Sequence, residues 1–420
     1  MPFRTPGESI RVGSSFFRRS LRTMAVEPLR REAALAGEFH VPQFEVRIDG
    51  VGLPRNVLRD VVSVTYKDNV AELDGFELVV NNWDPTESTY KYVGADTSIT
   101  NDPNPLHSLF DPRRHEIVLK MGYVDRLKTM LTGSTSTIEP NFPMAGLPVL
   151  NVRGLNKLHE LRTKQYTTTW NDKTDSQIAA NIATLSDRDT GQRRFPFPIE
   201  ADTSREETPR ATITQQNQYD IDFLVILARR NGYVVFLKEA DDTHPTPRLY
   251  FGPPQAARAE TLRDVTYELA YGLSLMEFKP TLSTANQFVS VTVKGRNRTA
   301  GTDIRGTVRC DDARITINRD LAPLLSYHNE RAASVVSEPV ATVRHAEERA
   351  AAILTEKMRD LVTATGRTVG LPELRAGQKV HIKKVGKRFE GIYLVTESTH
   401  IIDANGYVTA FTCKREGPLP

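Results

Sequence analysis

The residues best suited to chemistry in this chain are a few histidines and acids set among strand-like sequence. His345-Ala346-Glu347-Glu348-Arg349 puts a histidine beside two carboxylates on a helical run. Those are the residue types of a zinc-binding helix, but the second histidine such a helix needs is missing, so a solvated helix face is the better reading. His400 follows Thr399 in strand-like sequence. It has the donors of a metal ligand, yet a strand histidine bonded to a neighbouring backbone group is the expectation. Cys310 and Cys413 stand singly, whereas a metal site wants several ligands at close spacing. They read as buried, reduced thiols in a reducing compartment. The chain has 52 Asp and Glu residues, so carboxylate pairs suited to a lysozyme occur by chance, and nothing ties one to a pocket. No nucleophile elbow, phosphate-cradling loop or dinucleotide fingerprint is present. Asn297-Arg298-Thr299 matches a glycosylation sequon, which has no meaning in a cytoplasmic protein. No catalytic residue, cofactor or metal is expected.

The bulk numbers agree with that reading. A length of 420 residues allows two or three domains with real cores. A hydrophobic share of 39% and a charged share of 25% are those of an ordinary soluble protein. A net charge of +3 is too small to make nucleic acid the main partner. No apolar run approaches the ~20 residues of a membrane helix. The first 38 residues differ: Arg4, Arg11, Arg18, Arg19, Arg22, Arg30 and Arg31 outnumber Glu8, Glu27 and Glu32, with Ser14-Ser15-Phe16-Phe17 as the only apolar feature. This reads as a basic, flexible arm that orders against a partner, rather than a presequence.

The positioning elements are mostly strands. At the end, Lys379–Lys383, Ile392–Ser398 and Tyr407–Lys414 alternate apolar and polar residues, as Tyr393/Val395 and Tyr407/Thr409/Phe411 show. Gly386 and Gly391 punctuate them, and Asn405-Gly406 is a hairpin signal. A related layout lies near the start: Phe44/Val46/Ile48 before Asp49-Gly50, then Val62/Val64/Tyr66 and Phe76/Leu78/Val80. After a polar, proline-rich excursion over Trp83–Pro112 come His115–Gly122, a strand around Leu131, Gly133 and Ile138, and Val149–Gly154 beyond a Pro/Gly loop. Between these halves the pattern turns helical. Thr174 or Asp175 caps a helix bearing Ile178, Ile182 and Leu185, and Tyr219–Arg230 carries Phe223, Leu224, Leu227 and Ala228 on one stripe, with Gly232 as its stop. A strand pair follows, Tyr233–Leu237 and Arg248–Gly252. Asp264–Glu268, Leu273–Phe278 and Gln287–Arg296 then open the second half, with a helix over 342–361 inside it.

The fold class expected is α+β, mainly β: two β-barrel domains flanking a small α+β middle domain. The boundaries are an arm at 1–38, a first barrel at 39–160, the middle domain at 161–255 and a second barrel at 256–420. The repeat points to an internal duplication.

The helix Tyr219–Arg230 with its Phe223-Leu224 and Leu227-Ala228 pairs before Gly232-Tyr233, and the ending with Gly377, Gly391, Tyr393, His400, Gly406 and Tyr407, resemble the phage late control gene D proteins. These are baseplate hubs of contractile phage tails, related to hubs of contractile injection systems and to the amino-terminal part of VgrG spikes. The resemblance spans roughly 40–415. It implies a structural, non-enzymatic homotrimer in which two tube-protein-like barrels per chain make a ring of six, adapting a hexameric inner tube to a trimeric spike. A fused spike would need more chain than ends at Pro420, so the spike is expected to be a separate protein. Baseplate wedge proteins are further candidate partners, no specific nucleic acid is expected, and the particle would be assembled in the bacterial cytoplasm.

Working surfaces are then expected to be interfaces. Strand edges in Gln43–Ile48, His115–Gly122, Gln378–Lys383 and Ile392–Ser398 should join neighbouring barrels, because unprotected edges invite aggregation. The residues concerned are Phe44, Val46, Ile48, Ile117, Leu119, Val380, Ile382, Tyr393 and Val395. Two other functions compete: a tail-tip cell-wall hydrolase, which needs a cleft with paired carboxylates of divergent pKa, and a receptor-binding tail module.

Overall fold

A computed structural model describes residues 26–28, 41–70, 72–93, 105–112, 115–124, 126–202, 207, 209–231, 233–238, 244, 246–253, 266–296, 301–328, 332–335, 340 and 342–418. The expected arm, apart from its residues 26–28, lies outside these, as do Gly232, the sequon at Asn297 and much of the 83–112 excursion.

In the first half, strands β1 (Val26–Pro28), β2 (Pro42–Ile48), β3 (Val51–Gly52), β4 (Val61–Asn69) and β5 (Gly75–Asn81) are followed by the small pair β6 (Trp83–Asp84) and β7 (Thr89–Tyr90). Then come β8 (Glu116–Tyr123), β9 (Arg126–Asn141) and β10 (Val149–Asn156), with helix α1 (Arg55–Asp60) between β3 and β4. The order β4-β5-β10-β9-β8-β2-β3 is antiparallel throughout. Alternation does the sorting: Val46, Val64, Tyr66, Leu78, Val80, Leu119 and Leu150 fill one core. Val62 departs from the expected Val62/Val64/Tyr66 face and is exposed, because a bulge between Val61 and Ser63 turns the strand start outward. The excursion is not wholly superficial either: Tyr92 and Phe110 return to this core edge to face, 5.5 Å apart.

The middle holds β11 (Tyr166–Lys173), α2 (Asp175–Ile182), β12 (Ile199–Ala201), β13 (Arg210–Gln218), α3 (Asp220–Asn231), β14 (Val234–Lys238) and β15 (Arg248–Gly252). Thr174 and Gln177 make a reciprocal capping box at α2. Ile178, Ile182, Phe223, Leu224, Leu227 and Ala228 are buried in one cluster with Trp170 and Phe195. Arg230, in the last turn of α3, pairs with Asp175 in the first turn of α2, each charge complementing the dipole of its own helix. The pair β11–β13 is invisible to alternation, since its exposed face is a run of Thr, Asn and Gln.

The second half contains β16 (Thr266–Ala270), β17 (Leu275–Leu282), β18 (Ser290–Arg296), β19 (Asp303–Arg309), α4 (Ala322–His328), β20 (Ala332–Val335), α5 (Val343–Arg359) and β21 (Val362–Val369). It closes with β22 (Lys379–Lys383), β23 (Gly391–Asp403) and β24 (Gly406–Gly417). One sheet path runs β1-β16-β22-β23, and from β23 it continues β24-β21-β17. The strand expected over Gln287–Arg296 is not part of that sheet. It is the centre of a separate one, β19-β18-β20, on which α5 lies. Gly306 on β19 permits the approach: a Cβ there would stand 2.5 Å from the backbone nitrogen of Glu347. Ala346, Ala350, Leu354 and Met358 form the buried stripe of α5.

One strand joins the halves. Residues 391–394 of β23 pair with β22, residues 397–402 pair with β4, and β24 runs along the opposite edge. Tyr393, Val395, Phe411 and Cys413 sit in the second core, while Ile402 and Tyr407 at the hairpin end sit in the first. The turn centre is Ala404-Asn405 rather than Asn405-Gly406; Gly406 begins β24 at φ +111°.

Candidate assembly interface and its polar seam

Where β4, β23 and β24 meet, the inward face stops being apolar. Continuing inward from Val64 and Tyr66 on β4 is Asp68; on β23 it is Ser398 and His400; on β24, Thr409 follows Tyr407. All are buried, and burial without partners would cost several kcal/mol. The loop 370–378 supplies the partners. The backbone amide of Ala376 donates to Asp68 at 3.1 Å, and Ser398 Oγ donates to Asp68 Oδ1 at 2.5 Å. The amide of Leu371 donates to Thr409 Oγ1 at 2.9 Å. Arg375 lies over the Tyr66 ring, 4.5 Å from its centroid, is 3.7 Å from Asp68 Oδ2, and donates to the carbonyl oxygens of Thr129 and Met130 on β9. Tyr123 donates to the carbonyl of Gly370 at 2.9 Å. This seam ties the closing hairpin to both β4 and β9.

The bonds of His400 determine its tautomer. Nε2 is 3.0 Å from the carbonyl oxygen of Leu374, which can only accept, so Nε2 carries the proton. Nδ1 is then the acceptor for the Tyr407 hydroxyl at 2.9 Å, with Thr409 Oγ1 at 3.2 Å. Burial, with Arg375 nearby, holds the His400 pKa well below the usual histidine range. Burial pushes the Tyr407 hydroxyl up, and that of Tyr123 up to about 12. Ser398, His400 and Asp68 thus form a serine–histidine–aspartate group wired the wrong way for nucleophilic catalysis. The hydroxyl proton goes to the carboxylate, and the nitrogen nearest the hydroxyl is a donor. A triad needs the histidine to take that proton. The group is a structural lock. It meets the expectation that His400 bonds a neighbouring backbone group.

The residues expected at interfaces are distributed otherwise. Val46, Ile48, Ile117 and Leu119 are buried in the first core, and Val380, Ile382, Tyr393 and Val395 in the second; Phe44 is half-buried against the first. Their side chains pack within the chain's own cores, since strand alternation turns them inward. Strands β8, β22 and β23 have a strand on each side. On the outer side of β2 only Arg47 and Ile48 pair with β3, which leaves its start without a strand partner there among the described residues. Of the signature positions, Phe223, Leu224, Leu227 and Ala228 are buried. Gly391, at φ +135°, sits where a Cβ would meet the Gly417 carbonyl oxygen at 2.3 Å.

Sequence reasoning overlooked the seam and the exposed apolar side chains at two turns: Phe142, Met144 and Leu147 after β9, and Tyr271, Leu273 and Met276 around the start of β17. The signal for the seam was present as polar residues at the inward beat of alternating strands. His345 lies on α5, partly exposed. Cys310 and Cys413 are buried free thiols in the second core. Among the described residues no group of three or more His, Cys, Asp or Glu is disposed to hold a metal ion, and no helix is long and apolar enough to cross a membrane.

A family model described as the Alg8 N-terminal domain matches residues 40–404. The chain belongs to that family. The match takes in the first core, the middle cluster and the seam up to the turn of the closing hairpin. The fold of this Alg8 N-terminal domain family member is similar to that of the prophage MuSo2 43 kDa tail protein from Shewanella oneidensis, at 15% identity and a TM-score of 0.61, covering 89% of this chain and 98% of that one. It is similar also to the tail protein from Neisseria meningitidis MC58, at 12% identity and a TM-score of 0.57, covering 90% and 100%. At such identities the likeness is one of fold. No curated protein matches the chain.

Proposed function

We propose that the chain is a structural, non-enzymatic hub of a contractile tail or injection baseplate, a homotrimer that adapts a hexameric inner tube to a trimeric spike. The observation that carries the reading is β23, one strand shared by the sheets of both halves, which locks two strand-built units side by side in each protomer. Two such units in each of three chains would present six similar faces to a tube. The fold likeness to two phage tail proteins supports a role in a tail particle, and the resemblance to late control gene D hubs supplies the more specific adaptor role. The seam fits a scaffold role, because its serine–histidine–aspartate group is buried and bonded in a non-catalytic sense.

Native mass measurement of the full chain, alone and with its spike protein, tests the reading. A trimer is expected, with one spike trimer bound per ring. A monomer in both states overturns it.

A further inference from the structure

Two exposed apolar patches lie on different halves of the molecule, and the turns that adjoin them carry opposite net charge. The first is the β9–β10 tip, whose residues 142–148 include no charged side chain. Phe142 is 54% exposed, Leu147 59%, and Met144 wholly exposed. The tip is braced: Phe142 stands edge-on to Tyr90 at 5.1 Å, and Tyr90 to Trp83 at 5.7 Å. The β6–β7 turn beside it presents Asp84 and Glu87. Asp84 accepts from the amides of Thr86 and Glu87, which lowers its carboxyl pKa and keeps it anionic. The second patch is the β16–β17 shoulder, where Tyr271, Leu273 and Met276 are each more than half exposed. The amide of Tyr271 donates to the carbonyl of Lys383 at 3.1 Å, so the shoulder adjoins the β22–β23 turn with exposed Lys384, Lys387 and Arg388.

Clustered apolar side chains at a surface, rimmed by charge, mark a docking site. Neither patch is complementary to its own copy, since like charge would then face like. Joined head to tail, the two patches generate a closed ring or a filament. We propose that the acid-rimmed β9–β10 tip of one copy seats on the base-rimmed β16–β17 shoulder of the next, so that the occupant of each patch is a second copy of this chain. This deepens, and rests on, the threefold hub reading. The apolar residues supply the affinity, while the opposed rims set orientation and speed encounter.

Light scattering of the full chain over a concentration series tests the pairing, with circular dichroism melting to confirm that each variant folds. Phe142→Ala with Met144→Ala is expected to raise the concentration needed for assembly by more than about tenfold. Glu87→Lys, and separately Lys387→Glu with Arg388→Glu, should each weaken assembly. All three reversals on one chain should restore it, because tip and shoulder then attract again. As a second measurement, Met144→Cys with Leu273→Cys should give intermolecular disulfides on mild oxidation, the native thiols being buried. A parent chain that stays monomeric overturns this pairing and the hub reading together. A parent trimer indifferent to the substitutions overturns the pairing alone. Weakening without recovery in the combined variant, or a cysteine chain that forms no cross-link, also overturns it and assigns the patches to a different partner.

Discussion

The β9–β10 and β23–β24 hairpins obey the same local rules and meet opposite fates. Both pair long antiparallel strands with alternating side chains. In β23–β24 the connection is the polar Ala404-Asn405, and the inward polar residues His400 and Thr409 are fully partnered, so the hairpin completes the protomer. In β9–β10 the connection is apolar and, apart from the brace of Phe142 on Tyr90, stays largely exposed among the described residues. What separates an internal lock from a docking tip is which loop arrives beside it: residues 370–378 reach the first, and no described residue covers Met144.

Four tests would break or sharpen that contrast. Asp68→Ala should be the most damaging. It leaves Arg375, Ser398 and the Ala376 amide without their carboxylate, at a cost of about 3 kcal/mol or more, read as a lower urea midpoint. Equal midpoints for variant and parent would mean that the seam does not stabilise the fold.

Glycine substitutions should rank by contact as well as by φ. Gly391→Ala drives a Cβ into the Gly417 carbonyl, whereas Gly406→Ala meets open space and only an unfavourable φ of +111°. We expect a loss of about 1–3 kcal/mol for Gly406→Ala and a larger one for Gly391→Ala. The reverse order in thermal melts would contradict the register of the closing hairpin.

Acid should weaken the lock and spare the tip. His400 is neutral when folded, with its pKa depressed by burial. An unfolded chain takes up that proton near pH 6.5. The stability linked to this group is therefore fully present above that value and lost as pH falls below it, at up to about 1.4 kcal/mol per pH unit. Urea midpoints from pH 8 down to 5 should show a fall that His400→Gln lessens; identical slopes for the two chains would discount the histidine.

The smallest effect belongs to the tip. Met144→Ser should change protomer stability by less than about 0.5 kcal/mol, because the side chain is wholly exposed. A larger loss in the melt of the dissociated chain would show that the tip is packed after all.

Much of the fold was legible in the residues. The closing strands, the capping box at Thr174, the stripe of α3 and the stripe of α5 follow from periods of two and 3.6 residues, and alternation named the core positions of both halves. The same rule does not tell an interface from a core, since Val46, Leu119, Val380 and Val395 are apolar and face their own core. The bulge at Val62 and the Thr- and Asn-rich β11–β13 pair leave no periodic apolar trace, whereas β18 alternates clearly but alternation does not name the sheet a strand joins.

Sequence alone determined, for the segments with a clear period, which become strands and helices and which side of each is greasy, because those properties depend on neighbours a few positions apart. Tertiary structure decided that β23 serves two cores, that Asp68 finds Ser398 and the Ala376 amide more than three hundred residues along the chain, and that Met144 stays exposed. Hydrogen bonds and burial between distant segments depend on where the chain returns in space, and no local period encodes that return.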